Sequence, residues 1–360
     1  MAIEQMLDNY RDRSIDQQAA LLQELIMIEL ELRRHHGDQP SLREYAIRFP
    51  ECFGDLGQLL KESESASQRL STADLTLAPN LFIPGYHVFQ NLGSGGSGTV
   101  FRAWDVKAKK QVVLKVRSTN GTEKQFEYDE LVHEAAILSR FRHPNISQTL
   151  ALLEQESQYI LVSQYIAGRC LSDAYPDGVI DVRDAAKIVS QIARTVGFLH
   201  EQGIAHLDLA PRNIICRSGS PEFVLIDFGL ARSISFFSPL IEPGFPFGTP
   251  RYMSPEQAAG SRQRTGPWSD VYSLGAIFYF LLSGARPMDG LSEDDAIEET
   301  VHGRTIDLGK IELSCPIELI EIVRRCSERD PAMRYRDANE LCIELDRFLG
   351  GQSEVPLKAA

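Results

Sequence analysis

Five short stretches of this 360-residue chain carry side chains that can bind phosphate or move a proton. Leu92-Gly93-Ser94-Gly95-Gly96-Ser97-Gly98-Thr99-Val100 contains the spacing G-x-G-x-x-G, in which glycines let backbone N–H groups approach a phosphate chain closely. The same string opens dinucleotide-binding folds, but there it leads into a helix. Here Thr99 to Trp104 is β-branched and aromatic, so the loop joins two strands and can fold over a phosphate chain. Val112-Val113-Leu114-Lys115 places a lysine in an apolar strand, either as a snorkelling surface residue or as the partner of an anion. Glu134 follows in a helical run, with Glu127 and Glu130 as competing acids on neighbouring turns. His206-Leu207-Asp208-Leu209-Ala210-Pro211-Arg212-Asn213 and Asp227-Phe228-Gly229 complete the set. Read singly, Asp208 is an ordinary loop acid and Asp227 part of a turn.

In this order and spacing the five elements resemble the protein kinase family. Glu134 is the acid that keeps the family's spacing to His143-Pro144-Asn145. The resemblance implies ATP and Mg2+ as cofactors, and phosphotransfer to Ser/Thr hydroxyls of protein substrates. Such chemistry is mostly positioning plus neutralisation of charge. By resemblance, Asp208 is the base or hydroxyl-orienting group, Asn213 and Asp227 hold magnesium, and Lys115 binds the α- and β-phosphates while paired to Glu134. The nucleotide site would be formed by Leu92, Gly93, Ser94, Gly95, Gly96, Ser97, Gly98, Val100, Val113, Lys115, Cys170 and Ile215, with the backbones of Gln164 and Ile166 facing the adenine edge and Ser163 as a small gatekeeper. Gly248 to Glu256 resembles the peptide-docking segment, and Thr249 within it favours Ser/Thr substrates. Asp270-Val271-Tyr272-Ser273-Leu274-Gly275 resembles a buried central helix whose acid steadies the catalytic loop, and Arg334 is placed to pair with Glu256. The resemblance runs from Tyr86 to about Leu349 and implies an α+β, two-lobed fold, β-rich first and helical second.

Two departures stand in the catalytic loop. Leu207 occupies a position where most kinases carry arginine, and Ala210 one where Ser/Thr kinases carry lysine. Arg212 either replaces the lost charge or is a solvated loop residue. The alternative to an active enzyme is therefore a pseudokinase scaffold that binds ATP and transfers little phosphate. The loop from Leu230 to Phe247 contains no threonine, only Ser233, Ser235 and Ser238, while Phe236, Phe237, Leu240, Ile241, Phe245 and Phe247 make it heavily apolar, so packing can order it without phosphorylation.

These residues need a scaffold, and composition bounds it. With 43% hydrophobic and 24% charged residues the chain is of the ordinary globular class. Its 50 acidic against 37 basic side chains give a net charge of −13, which disfavours nucleic acid as a partner. The apolar run Leu274–Leu282 is far shorter than the ~20 residues of a membrane span, and reads as a buried helix. The first residues lack the features of a signal peptide, so a cytoplasmic location is expected, and six scattered cysteines without a C-x-x-C pair read as free thiols. Capping boxes at Ser14–Gln17 and Ser41–Glu44, with stops at Gly37 and Pro50, predict a helical unit over residues 1–61. Its two apolar stripes need a cover: its own helices, the catalytic domain or a regulatory partner. Residues 62–80 read as a linker, 81–349 as the catalytic domain and 350–360 as a tail.

Overall fold

In the computed structural model five strands form an antiparallel sheet in the order β1-β2-β3-β5-β4: β1 (Tyr86–Gly95), β2 (Gly98–Asp105), β3 (Lys110–Ser118), β4 (Thr149–Gln155) and β5 (Gln158–Gln164). Side chains alternate between the two faces of a strand. Phe101 and Ala103 of β2, Val112, Leu114 and Val116 of β3, and Ile160 and Val162 of β5 are buried on one face with Ile83. The register pairs Val100 with Lys115, Lys115 with Leu161 and Val113 with Ser163, so these residues share the opposite face. Slipping β3 by one residue would put Lys115 into the apolar core, and the Val112-Leu114-Val116 stripe prevents it.

The described residues are 83–95, 98–118, 135, 142–155, 158–233, 244–303, 306–311 and 315–351. The helical unit and linker expected before residue 81, Gly96, Ser97, Glu134, the middle of the Leu230–Phe247 loop and the end of the tail lie outside them. All described residues belong to one unit, Leu77–Ala360.

Beyond the sheet the chain becomes mainly helical. β6 (Gly168–Cys170) leads into the single turn α1 (Leu171–Ala174), and α2 (Val182–Glu201) begins at Asp181, whose carboxylate accepts from the amides of Arg183 and Asp184. Such a cap stabilises a helix by roughly 1 kcal/mol. Four short strands follow: β7 (Ile204–Ala205), β8 (Ile214–Arg217), β9 (Phe223–Leu225) and β10 (Arg232–Ser233). β8 pairs with β6 and β9, and β7 with β10. The helices α3 (Pro255–Ala258), α4 (Pro267–Ser283), α5 (Glu293–His302), α6 (Ile317–Cys326) and α7 (Ala338–Gly351) complete the fold. α4 is buried on every side from Ser269 to Leu282, so the apolar run is a core helix as expected. Its Gly275 is required by packing: a Cβ there would stand 2.3 Å from the Cβ of Cys326 in α6. Among the described residues no helix is long and apolar enough to cross a membrane.

Candidate active site

The loop between β7 and β8 holds His206 to Asn213, and its shape is set from beneath by α4. Asp270, fully buried in the first turn of α4, accepts from the backbone amides of His206 and Leu207, both at 2.8 Å. His200 Nε2 lies 2.9 Å from the same carboxylate. Three partners thus satisfy a charge that would be costly to bury alone. They also hold Leu207 at φ 62°, a left-handed conformation that costs a non-glycine residue roughly 1–2 kcal/mol. The Leu207 side chain is buried against Ala205 and Phe247, with Leu230 beside them. Where the sequence shows a missing cation, the fold has an apolar contact between the catalytic loop and the end of the Leu230–Phe247 segment. Gln257 closes the same junction, its amide nitrogen donating to Leu207 O at 2.7 Å and Phe247 O at 3.3 Å.

Asp208 is the convergence point. Thr249 Oγ1 donates to Asp208 Oδ1 at 2.6 Å, and Asn213 Nδ2 donates to Oδ2 at 2.9 Å and to the backbone oxygen at 2.8 Å. Burial raises the Asp208 pKa, with Asp227 adding to the rise and the Thr249 bond and Arg212 opposing it. His206 is buried and its pKa is lowered by desolvation, so it is neutral and its Nδ1 accepts from the Asp208 amide at 3.3 Å. Its ring packs on Phe228 at 4.6 Å between centroids, which joins the loop to the Asp227-Phe228-Gly229 turn.

Lys115 reaches that turn from β3, with Nζ 2.7 Å from Asp227 Oδ1. Burial would raise the Asp227 pKa, but the Lys115 ammonium and the Gly229 amide outweigh it and carry the carboxyl below its ordinary value. The expected partner Glu134 lies outside the described residues. Asn213 and Asp227 suit a hard cation. The Asn213 amide nitrogen is committed to Asp208, so its Oδ1 is the atom left for a ligand, and Asp227 adds carboxylate oxygen. The backbone bond from Ile226 N to Asn213 O, 3.0 Å, ties the two residues together.

Val100, Val113 and Lys115 stand on one face of the sheet, and Cys170 faces Ile215 across the β6–β8 pair. Leu92, Gly93 and Ser94 are exposed at the β1–β2 turn. Gly98 is needed there, because at φ 111° a Cβ would come within 2.6 Å of Val116 O. The hinge runs through Gln164, whose amide donates to Gln148 O, to the buried Ile166. Cys170 sits at the start of α1, 3.1 Å from Ser172 Oγ, and burial and Asp173 push its thiol pKa up. Arg212 is 61% exposed and its guanidinium lies 3.9 Å from Asp208 Oδ2.

A family model described as the protein kinase domain matches residues 86–343. The chain belongs to the protein kinase domain family. Its kinase domain is 32% identical over 277 residues to the serine/threonine-protein kinase pkn2 of Myxococcus xanthus, covering 75% of this chain and 33% of that protein. It is 29% identical to PknB of Mycobacterium leprae, over 74% of this chain and 43% of the relative. With PrkC of Bacillus subtilis the identity is 28%, over 71% and 39%. The chain therefore spans less than half the length of these relatives.

Within the kinase domain the two buried ion contacts expected from the sequence are present: Asp270 beneath the catalytic loop, and Arg334 on Glu256. Arg334 Nη1 and Nη2 each lie 2.9 Å from a Glu256 oxygen, and the backbone oxygens of Trp268, Glu328 and Arg329 take the other donors. All five N–H groups of the guanidinium are thereby satisfied. The roles of His200 and Gln257 were not evident from the sequence. Ser254-x-x-Gln257 does have the form of a capping box, which predicts the Gln257 contact to Ser254 but not its reach to Leu207.

Proposed function

We propose that the chain is an ATP- and Mg2+-dependent serine/threonine protein kinase. The observation that carries this reading is the Asp208 carboxylate, held between Asn213 of the catalytic loop and Thr249 of the docking segment. Asp208 orients the acceptor hydroxyl and takes its proton. Burial raises its pKa, which makes it a stronger base than a solvated aspartate. Lys115 neutralises the α- and β-phosphates, and the β1–β2 loop supplies backbone N–H groups to the chain of phosphates. Magnesium, held by Asn213 and Asp227, would neutralise charge on the β- and γ-phosphate oxygens. Glu134 pairs with Lys115, and Val113, Gln164, Ile166, Cys170 and Ile215 line the base and ribose. The names of the bacterial relatives support serine and threonine as acceptors, and so does Thr249 beside the base.

The cytoplasm is the proposed location. ATP is available there, and Cys170, Cys216, Cys315, Cys326 and Cys342 are free thiols, as suits a reducing compartment. We read residues 1–61 as a separate helical unit that carries regulation through a partner. The direct test of the activity is transfer of label from radiolabelled ATP to a generic protein acceptor. Transfer that requires magnesium and is lost in Lys115→Ala supports the reading; incorporation equal in both proteins contradicts it.

A further inference from the structure

The chain carries a net charge of −13, yet a cation stands beside the Asp208 carboxylate. It is Arg212. Its side chain is 61% exposed, and among the described residues its one ionic contact is the 3.9 Å approach to Asp208 Oδ2, too long for a hydrogen bond. Both Asp208 oxygens already accept from other donors, Thr249 and Asn213. Among the described residues the guanidinium thus stands beside the base without a hydrogen-bond partner, and its planar fork of donors suits bidentate capture of an anion.

One more arginine lies on the docking segment and another in the loop after α4. Among the described residues Arg251, two residues past Thr249, is bound through neutral groups: the backbone oxygens of Pro287, Met288 and Leu291. These bonds fix its position and leave its charge uncompensated. Arg286 is exposed, and both arginines lie near enough to Tyr252 to oppose the burial that raises its pKa. Asp289 and the α5 acids Glu293, Asp294 and Asp295 are close in sequence, but among the described residues none forms an ion pair with Arg251 or Arg286.

We propose that Arg212, supported by the field of Arg251 and Arg286, selects acceptor peptides with an anionic side chain within about two residues of the phosphoacceptor. The reach follows from chain geometry. The acceptor hydroxyl must meet Asp208, and an extended peptide advances roughly 3.3–3.6 Å per residue, so a flanking carboxylate or phosphoryl group falls within span of Arg212. This inference rests on the phosphotransfer reading above. It differs from a role for Arg212 on the transferring phosphate, which would lower turnover for every peptide alike and leave their ranking unchanged.

The test is a peptide series built on one neutral parent, with Glu, phosphoserine, Ala or Lys placed one and two residues to either side of the acceptor serine. For the wild-type chain, kcat/KM should rank Glu and phosphoserine above Ala and Ala above Lys, with about tenfold between Glu and Lys at the best position, narrowing as salt is added. Arg212→Glu should invert the order and Arg212→Gln should flatten it. If Arg212→Glu loses all turnover, the flattening in Arg212→Gln still decides. A gain for phosphoserine alone would identify phosphate, rather than carboxylate, as the anion read. Phosphorylation of the neutral parent with equal rates for Glu and Lys, or one ranking shared by wild type and both variants, would overturn the assignment to Arg212 while phosphotransfer stands. Failure of the wild-type chain on every peptide would overturn phosphotransfer as well.

Discussion

The two faces of the catalytic cleft are built by different means. On the side we assign to the nucleotide, the sheet offers a modest apolar core on one face and, on the other, Val100, Val113 and Lys115 placed by strand register alone. On the side we assign to the acceptor, the His206–Asn213 loop and the Gly248–Glu256 segment rest on buried hydrogen-bonded polar groups: Asp270 under His206 and Leu207, Gln257 across Leu207 and Phe247, and Arg334 on Glu256. A strand can place a side chain by alternation, so the sheet needs little else. A loop cannot, and here its conformation, including left-handed backbone at Leu207, is fixed by hydrogen bonds from the helices beneath. The acceptor side should therefore fail abruptly when one buried group is removed, and the nucleotide side gradually.

The largest effect is expected at the Glu256–Arg334 pair, both side chains at most 5% exposed. Arg334→Met leaves a buried carboxylate without its cation and should cost about 3–5 kcal/mol, read as a lower urea midpoint at unchanged slope. A variant as stable as wild type would break the comparison, since the acceptor side would then not depend on its polar core.

A smaller effect should follow from Asp270→Asn. One carboxylate oxygen becomes an NH2 facing backbone donors, costing roughly 1–3 kcal/mol for a bond lost in a buried site. The sharper reading is kinetic: kcat should fall while nucleotide affinity, set by the opposite face, stays within about twofold. Parallel loss of nucleotide binding would show that the two faces are not built independently.

The smallest effect concerns Ser233, Ser235 and Ser238. Leu207 packs against Phe247, where an arginine would await a phosphate, so ordering of this junction does not need one. The triple alanine variant should keep its rate within about tenfold of phosphatase-treated wild type, roughly 1.4 kcal/mol of barrier. A larger fall would mean that loop phosphate, not the apolar contact, holds the segment.

Much of this site is legible in the sequence because its parts are local. The glycine spacing followed by β-branched residues identifies a strand–loop–strand unit, and Val112-Val113-Leu114-Lys115 gives both the strand and the lysine's position in it. Asp270 and the Glu256–Arg334 pair follow from resemblance to the family. Contacts that depend on docking of distant segments were not legible. Thr249 meets Asp208 across 41 residues and His200 meets Asp270 across 70, and neither spacing has a period. Leu207 shows why composition misleads here: the sequence registers a lost cation, whereas the fold shows an apolar side chain gained at a buried junction with Phe247.

In the proposed function Asp208, fixed by Thr249 and Asn213, acts on the acceptor hydroxyl and not on the nucleotide. The most direct test of this role pairs two readings on Asp208→Asn: affinity for ATP with magnesium, and the rate of phosphate transfer to a serine peptide. The expected result is affinity close to wild type with transfer lowered by about 10²–10⁴-fold, the usual weight of a positioned general base. Transfer at the wild-type rate, or loss of ATP binding in step with loss of transfer, would contradict the account.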